Sequence, residues 1–244
     1  MSKTVIVTGA SSGLGFAIAR AYLERGYNVV GNARTQARLD EAAAKLGNPH
    51  NFLAVAGDIA RPDTAKRLFA QAIEAFGRVD ILINNAGIFI AKPIGDYTDE
   101  DLEAIVDTNL KGFFYPAQAA AQHMAANGSG HIISITASIA LQPNVKVPAL
   151  LPILIKGGLN SAVRGLALEL ASSHVQVNAV APGIIATPLH PDDEGTRAFL
   201  RGLSPSGAIG DPQDIVDAVL YLTDSTFVSG AILNVDGGST TGVW

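Results

Sequence analysis

"VTGASSGLG", Val7 to Gly15, joins a short apolar run to an amphipathic segment near the start of the chain. The first glycine of this stretch, Gly9, permits a tight turn, while Gly13 and Gly15 let backbone approach a pyrophosphate and let a helix pack on a strand. The N-terminus of that helix would offer N–H donors and the positive end of its dipole. A plain tight turn is the alternative interpretation. In a strand–turn–helix context the stretch predicts a dinucleotide site.

Short apolar runs alternate with amphipathic segments along the rest of the chain. Continuous Val, Ile, Leu and Ala are typical of strands that are covered on both faces. The strand candidates are "TVIVTGA", "YNVVGNA", "NFLAVAG", "VDILINN", "GHIISITA", "VQVNAVAP" and "AILNVDGG". This alternation predicts an α/β fold of the Rossmann type, a doubly wound parallel sheet of about seven strands with helices on both faces. No linker divides residues 1–244, so we expect a single domain.

Composition excludes several function classes. The chain has no cysteine, which excludes disulfides and thiolate metal sites. A net charge of −5 with scattered Lys and Arg predicts no nucleic-acid partner. No apolar run is long enough to suggest a membrane span, and the first apolar run is too short for a signal peptide, so we expect a cytoplasmic protein.

The tip of the second predicted strand bears on the choice of cofactor. A carboxylate there would hydrogen-bond a ribose 2′-hydroxyl and favour NAD. The sequence instead has Asn32, Ala33 and Arg34, and a guanidinium suits a 2′-phosphate. We therefore expect NADP(H) in preference to NAD(H), with a solvated Arg34 as the alternative. Asp58, at the tip of the third strand, is interpreted either as a contact of the adenine edge or as a plain turn residue.

Five motifs in order resemble the short-chain dehydrogenase/reductase family over essentially the whole chain. They are "TGASSGLG" from Thr8, "NNAG" from Asn84, "DTNLKG" around Asn109, "APGIIAT" up to Thr187 and "LNVDGG" from Leu233. The resemblance implies the fold and the activity of an NAD(P)-dependent oxidoreductase. Together with the strand tips, it predicts a cofactor site made of Gly9, Ser11, Ser12, Gly13, Leu14, Gly15, Arg34, Asp58, Ile59, Asn85, Ala86, Gly87, Lys156, Pro182, Gly183, Ile185 and Thr187.

The chain departs from the family where the proton donor is expected. The family uses a tyrosine four residues before a lysine, and the lysine lowers the pKa of that tyrosine and holds the nicotinamide ribose. Lys156 matches the lysine, so the tyrosine position is Pro152. Proline has no proton to donate, but the first turn of a helix tolerates it. The substitution therefore predicts loss of the usual acid without misfolding.

The family's serine is also displaced. Alignment of "GHIISITASIA" puts Ala137 at the serine position, between Thr136 and Ser138. A shift of the following loop could bring Ser138 into place, and the alternative is a hydroxyl that satisfies a strand end. The resemblance makes Asn109 the residue that positions a water for proton relay, and an N-cap of the following helix is a second interpretation that can hold at the same time.

Other candidate groups carry less signal. Tyr115 is predicted to pack away from Asn109, whereas Tyr97 follows a segment that borders the substrate in the family. "HPDDEG", from His190, is expected to be a solvated loop rather than a cation site, and the histidines have no ligand spacing, so no metal is predicted. In the family, the region after Thr187 is a lid, and here it is short.

Two function classes stay open on the sequence. The first is an NADP(H)-dependent oxidoreductase acting on a small carbonyl, enone or imine-type substrate, in a site lined by Leu150, Leu151, Pro152 and Ile153. A desolvated Lys156 with a lowered pKa would then be the proton donor. A weak carbonyl reductase using Ser138 and bound water is a variant of this class. The second class is a cofactor-binding protein without turnover. The resemblance also implies a homodimer or homotetramer.

Overall fold

The seven predicted strands are confirmed by the computed structural model, which describes residues 2–188 and 193–242. Each strand is a short run that is mostly aliphatic. The strands are β1 (Thr4–Thr8), β2 (Asn28–Ala33), β3 (Phe52–Ala56), β4 (Ile81–Asn84), β5 (Gly130–Ile135), β6 (Val175–Pro182) and β7 (Ile232–Val235). All neighbouring pairs are parallel, in the order β3-β2-β1-β4-β5-β6-β7.

Eight α-helices connect the strands in the described part of the chain. They are α1 (Gly13–Glu24), α2 (Gln36–Lys45), α3 (Pro62–Phe76), α4 (Asp99–Ile105), α5 (Gly112–Asn127), α6 (Leu150–Leu170), α7 (Glu194–Arg201) and α8 (Pro212–Asp224). Local sequence explains where several of them begin. Before α8, the carboxylate of Asp211 accepts a hydrogen bond from the backbone N–H of Gln213, and Pro212 occupies the first turn.

Helices on both faces explain why the strands lack an apolar–polar alternation. Leu82 and Ile132 belong to one buried cluster with Val163 of α6, whereas their neighbours Ile83 and Ile133 belong to a second cluster on the opposite face. Both faces of the sheet are therefore core, as expected for a parallel sheet between helix layers.

The strand order reverses at β1, which lies between β2 and β4. The connections from β1 to β3 progress toward one edge of the sheet, and those from β4 to β7 progress toward the other. In such sheets a crevice opens outside the carboxyl ends of the strands at this reversal. The fold therefore predicts an opening where the glycine stretch follows β1 and where "NNAG" ends β4.

A π-helical segment, Val106–Lys111, interrupts the run from α4 to α5 and contains Asn109. Pro116 lies inside α5 and has no N–H to donate to the preceding turn, so regular hydrogen bonding is disturbed on both sides of Gly112. Single π-helical turns of this kind occur frequently at functional sites. The segment brings Asn109 to the loop that follows β4.

Two kinds of feature were searched for in the described residues. No helix there is long and apolar enough to cross a membrane. No group of three or more His, Asp or Glu side chains is arranged to hold a metal ion in residues 2–188 and 193–242. His190, Pro191 and Asp192 of the "HPDDEG" stretch lie outside those residues.

Candidate active site

A cavity of about 970 Å³ opens at the carboxyl edge of the sheet. Its walls come from the glycine turn after β1, the tips of β2 and β3, the segment after β4, the loop between β5 and α6, the end of β6 and helix α7. It includes most of the cofactor residues predicted from the sequence: Gly9, Ser11, Ser12, Gly13, Leu14, Arg34, Asp58, Ile59, Asn85, Ala86, Gly87, Lys156, Pro182, Gly183, Ile185 and Thr187. The cavity has the place and the shape that an extended dinucleotide needs.

The glycine turn is built around close backbone contacts. Gly9 has a φ of +69°, which favours glycine, and a side chain there would meet the backbone of Ala86 at 3.1 Å. A Cβ on Gly15 would collide with the carbonyl oxygen of Gly9 and lie 2.5 Å from Asn85 Nδ2. Gly15 does not line the cavity, so its role is helix–strand packing.

The start of α1 offers unused donors to the cavity. Ser12 is its N-cap, but the Ser12 side chain makes no capping hydrogen bond. The first N–H groups of a helix then lack intrahelical partners and favour an anion. The residues around this turn therefore fit a pyrophosphate.

Thr8 and Asn85 tie this turn to the loop after β4. Thr8 Oγ1 accepts hydrogen bonds from the backbone N–H groups of Asn85 and Ala86, each at 3.0 Å. Asn85 Nδ2 donates to the carbonyl oxygen of Thr8 at 2.9 Å. These contacts fix the switch point between β1 and β4 and leave Ala86 and Gly87 facing the cavity.

Two arginines line the cavity beside the tip of β2. Arg34 follows β2, and Arg38 lies in the first turn of α2. Neither guanidinium has an ion-pair or hydrogen-bond partner among the described residues. Asn32 donates from Nδ2 to the carbonyl oxygens of Val55 and Gly57, so the β2 tip carries an amide occupied in holding β3. Asp58 Oδ1 accepts from the N–H of Ala60 at 3.0 Å, as a turn residue does. Asp58 also lines the cavity, and its contact with the adenine edge stays a prediction.

Lys156 projects from α6 toward the end of β5. Its Nζ donates to the carbonyl oxygen of Ile135 at 2.8 Å. A Cβ on Gly87 would lie 3.4 Å from this Nζ and 3.2 Å from Asn109 Oδ1, so the three residues converge at one point. Burial lowers the pKa of Lys156 from its ordinary value to about 8. The residue as a whole is partly exposed and lines the cavity. Burial among protein atoms is the cause of the low pKa.

Asn109 is buried and does not line the cavity itself. Its Oδ1 accepts from the backbone N–H of Ile88 at 2.8 Å, and its Nδ2 donates to the carbonyl oxygen of Ile88 at 2.9 Å. The N-cap interpretation is wrong, because Asn109 lies within the π-helical segment and its side chain hydrogen-bonds Ile88 rather than the start of α5. Thr108, its neighbour, lines the cavity instead.

Three consecutive residues after β5, Thr136 to Ser138, lie near the position of the family's serine. Ala137 and Ser138 both line the cavity. Thr136 also lines it, but Thr136 Oγ1 is directed to the carbonyl oxygen of Val180. Ser138 starts a short 3₁₀ turn, and its Oγ has no hydrogen-bond partner among the described residues. Ser138 is therefore the hydroxyl that stays available to a bound molecule.

Pro152 lies in the first turn of α6, three residues after the N-cap Ala149. The first intrahelical bond runs from the N–H of Ile153 to the carbonyl oxygen of Ala149, so the missing N–H of Pro152 disturbs nothing. Pro152 is buried but does not line the cavity. The expected apolar wall of Leu150, Leu151, Pro152 and Ile153 is wrong, because α6 turns these side chains elsewhere and residues 142–147 form the wall instead.

None of the tyrosines lines the cavity, and all five lie in the described part of the chain. Tyr97 OH donates to the carbonyl oxygen of Ile90 at 2.8 Å and so stabilises the loop after β4. Tyr115 borders a small surface groove between α3 and α5. Neither residue is placed to act on a bound molecule.

Several residues of the cavity were not predicted from the sequence. Arg38 could have been found from its position, since it lies in the first turn of the helix that follows Arg34. Phe89, Phe199, Ser239 and the run from Gln142 to Val147 line the cavity from loops and from α7. Loop conformation carries no readable pattern, so no signal in the sequence pointed to these residues.

Comparison with known proteins agrees with this architecture. The family model described as "Enoyl-(Acyl carrier protein) reductase" matches residues 9–240. The (2S)-[(R)-hydroxy(phenyl)methyl]succinyl-CoA dehydrogenase subunit BbsD of Thauera aromatica is 35% identical over 97% of this chain and 96% of its own. A short-chain type dehydrogenase/reductase from Mycobacterium marinum superposes with a TM-score of 0.92 at 31% identity, covering 98% of this chain and 96% of that one.

A further structural relative contains cofactor. ElxO with NADP bound superposes with a TM-score of 0.93 at 25% identity, over 99% of this chain and all of that one. A tyrosine-to-phenylalanine variant of ElxO with NADPH bound superposes equally well. The family model and the identical positions extend over nearly the whole chain. This protein therefore belongs to the short-chain dehydrogenase/reductase family of NAD(P)-dependent oxidoreductases.

Proposed function

We propose that this protein is an NADP(H)-dependent oxidoreductase that transfers hydride to or from a small carbonyl, enone or imine-type substrate, with Lys156 as its proton donor. One observation carries the proposal. The ammonium group of Lys156 lies at the cavity with a lowered pKa, and no tyrosine lines the same cavity.

The preference for NADP(H) rests on the adenosine end of the cavity. Arg34 and Arg38 present two guanidinium groups with no partner in the described residues, and the tip of β2 has an amide, Asn32, in place of a carboxylate. Guanidinium groups suit a phosphate that carries two charges, whereas a ribose hydroxyl calls for an acceptor. ElxO, whose fold is similar, is known with NADP bound.

The nicotinamide would lie between the β4 loop and the end of β6. Gly87, Pro182, Gly183 and Thr187 line this part of the cavity, and a Cβ on Gly183 would lie 2.7 Å from the Cα of Asp236. Glycine therefore keeps the backbone here close to the loop that follows β7. When bound, the nicotinamide supplies or accepts the hydride.

Lys156 supplies the other half of the reduction. With a carbonyl or imine, its protonated amine donates one proton to the substrate oxygen or nitrogen as hydride reaches the adjacent carbon. With an enone, hydride reaches the β-carbon and the amine donates its proton to the enolate oxygen, and the resulting enol becomes the saturated ketone. The neutral amine then regains a proton from solvent. A lysine with a pKa near 8 is a far better acid at neutral pH than an exposed lysine. Ser138, whose Oγ is unengaged, hydrogen-bonds the same substrate atom.

Because Pro152 stands where the family has its tyrosine, the site needs another proton donor. Pro152 precedes Lys156 by four residues, one turn earlier on α6, which is the spacing of the family's tyrosine. An iminium or a conjugated enone needs less acid assistance than a simple ketone, and such substrates suit a site without a tyrosine. The NADPH-bound ElxO variant, which has phenylalanine for a tyrosine, supports the point that cofactor binding does not require every tyrosine hydroxyl.

The test is NADPH oxidation by the purified protein with cyclic imines, conjugated enones and simple ketones. We expect turnover of imines or enones and little turnover of ketones, and we expect Lys156→Met to abolish turnover. Pro152→Ala is the matched control and should stay within about twofold of wild type, because proline donates no proton. The result that would contradict the proposal is full activity in Lys156→Met with NADPH still bound.

A second variant separates an enzyme from a protein that only binds cofactor. Wild type that binds NADPH but turns over no substrate, beside a Pro152→Tyr variant that reduces ketones, would favour the alternative of a cofactor binder without turnover. Nothing in the described residues or among the relatives favours that alternative now.

A further inference from the structure

We propose that the substrate is an apolar carbonyl or imine compound that carries an anionic group, with its apolar body against Phe89, Val145 and Phe199 and its charge at Lys146. The inference rests on the proposed function and narrows the substrate class of the same cavity. It also makes Val145 and Lys146 the residues that determine specificity.

Three exposed apolar side chains from separate parts of the chain line the same cavity. Val145, in the β5–α6 loop, is 97% exposed, Phe199 of α7 is 52% exposed and Phe89, after β4, is 37% exposed. Convergence of exposed apolar groups at a cavity is typical of a binding surface, since isolated ones would be scattered. Ile139, Ile184 and Leu203 also line the cavity and add to its apolar surface.

The charges of the cavity are unequally divided. Among the described residues that line it, Arg34, Arg38, Lys146 and Lys156 are cationic and Asp58 is the one anionic residue. The arginines and Asp58 lie at the adenosine end, and Lys156 serves the reacting centre. Among these cavity residues, Lys146 is then the one cation assigned neither to the cofactor nor to proton transfer.

The loop that carries Lys146 is held by its own hydrogen bonds. Asn144 Oδ1 accepts from the backbone N–H of Lys146 at 2.9 Å, and the carbonyl oxygen of Asn144 accepts from Val147 at 3.0 Å. Earlier in the loop, the carbonyl oxygen of Ser138 accepts from Gln142 at 3.0 Å. Val145 and Lys146 therefore project from a defined turn at the rim, which keeps an apolar contact and a charge side by side.

The side chains that line the substrate end of the cavity argue against a sugar as substrate. A polyol needs several hydrogen-bonding groups, because each buried hydroxyl without a partner weakens binding. At the substrate end no carboxylate lines the cavity in the described residues, and the amide oxygen of Asn144 is already engaged. An apolar body with one anionic group matches the available partners better.

The experiment compares one substrate in two charge states. The para-carboxylic acid of benzylideneacetone and its methyl ester have the same enone and nearly the same apolar body. We expect wild type with NADPH to reduce the acid with a kcat/KM about fivefold higher than that of the ester, the range of a solvent-accessible ion pair. Lys146→Gln should remove this preference and Lys146→Glu should reverse it, while Lys45→Gln, an exposed lysine on α2 outside the cavity, should leave it intact.

The apolar half of the inference has its own variant. Val145→Ser should raise KM for the acid and the ester alike, about threefold, with kcat unchanged, because lost apolar contact weakens binding of both. Phe227→Ser, at a fully exposed residue away from the cavity, is the control. An unchanged KM in Val145→Ser, or an acid preference that persists in Lys146→Gln, would overturn the inference.

Binding measurements separate failure of the inference from failure of the proposed function. Calorimetry with the saturated keto acid and its methyl ester, on protein with and without NADP⁺, reports the charge preference without turnover. Tighter binding of the acid, lost in Lys146→Gln, supports the inference even if no NADPH is oxidised. Equal binding of acid and ester, or turnover of sugars with no binding of either compound, rejects it.

Discussion

Lys156 keeps its charge in surroundings that favour the neutral amine. A pKa lowered from 10.5 to about 8 corresponds to roughly 3 kcal/mol against the charged form in the folded protein. Because the folded state binds this proton more weakly than the unfolded chain, the cost is complete below pH 8 and disappears as the pH rises toward 10.5. The hydrogen bond to Ile135 offsets only part of it. A residue kept at such a cost fits a functional role.

Arg34 and Arg38 give a prediction about cofactor choice at the same scale. Arg38→Gln should weaken NADPH binding about tenfold and leave NADH binding nearly unchanged, because only NADPH carries the 2′-phosphate. Arg34→Gln should act in the same direction. Fluorescence titration with both cofactors measures the ratio, and Arg20→Gln, an exposed residue of α1 outside the cavity, is the control. An equal loss for NADH and NADPH would contradict the assignment.

At the scale of elements, the glycine turn and helix α1 depend on a contact that only glycine permits. Gly15→Ala should lower the free energy of unfolding by about 2–4 kcal/mol and abolish cofactor binding, because the added Cβ would collide with Gly9 and approach Asn85. Gly165→Ala, in an exposed part of α6 where a Cβ meets nothing within 4 Å, should raise it by up to about 1 kcal/mol.

Urea denaturation of the two variants and wild type checks this pair. Replacing glycine by alanine restricts the unfolded chain in the same way in both variants. The difference between their free energies of unfolding therefore reports the contacts in the folded state. A Gly15→Ala protein as stable as wild type would show that the α1–β1 packing is looser than the contact at Gly9 indicates.

Elements with a strong local pattern could be predicted from the sequence, and those set by distant contacts could not. The strands and the "VTGASSGLG" turn depend on residues close in sequence, so their pattern sufficed. The apolar wall was misassigned to Leu150–Ile153 because the direction of α6 depends on tertiary packing, and the true wall is the loop around Val145. The π-helical turn at Asn109 was likewise missed, because Ile88 and Pro116 act on it from different parts of the chain.

At the scale of the whole molecule, exposed apolar side chains on α5 and α6 concern assembly. Phe114, Leu154 and Leu168 are 52%, 62% and 82% exposed in the single chain. We expect a homodimer or homotetramer, and Leu168→Glu should shift it toward monomer because a buried carboxylate at an interface is strongly unfavourable. Sedimentation velocity measures this, with Lys45→Glu as the control for added negative charge. Wild type that sediments as a monomer would contradict the expectation.

A cytoplasmic location stays a prediction from the sequence.

The most direct test of the central claim, a lysine that donates the proton in a site without a tyrosine, is the pH dependence of NADPH oxidation. The substrate should be one that wild type reduces and that does not titrate between pH 6 and pH 10, such as a neutral enone. We predict that kcat/KM is constant at low pH and falls tenfold per pH unit above about 8, as Lys156 loses its proton. Any residual rate that Lys156→Met shows at saturating NADPH should lack this profile. A rate that stays constant through pH 9, or the same descent in Lys156→Met, would contradict the account.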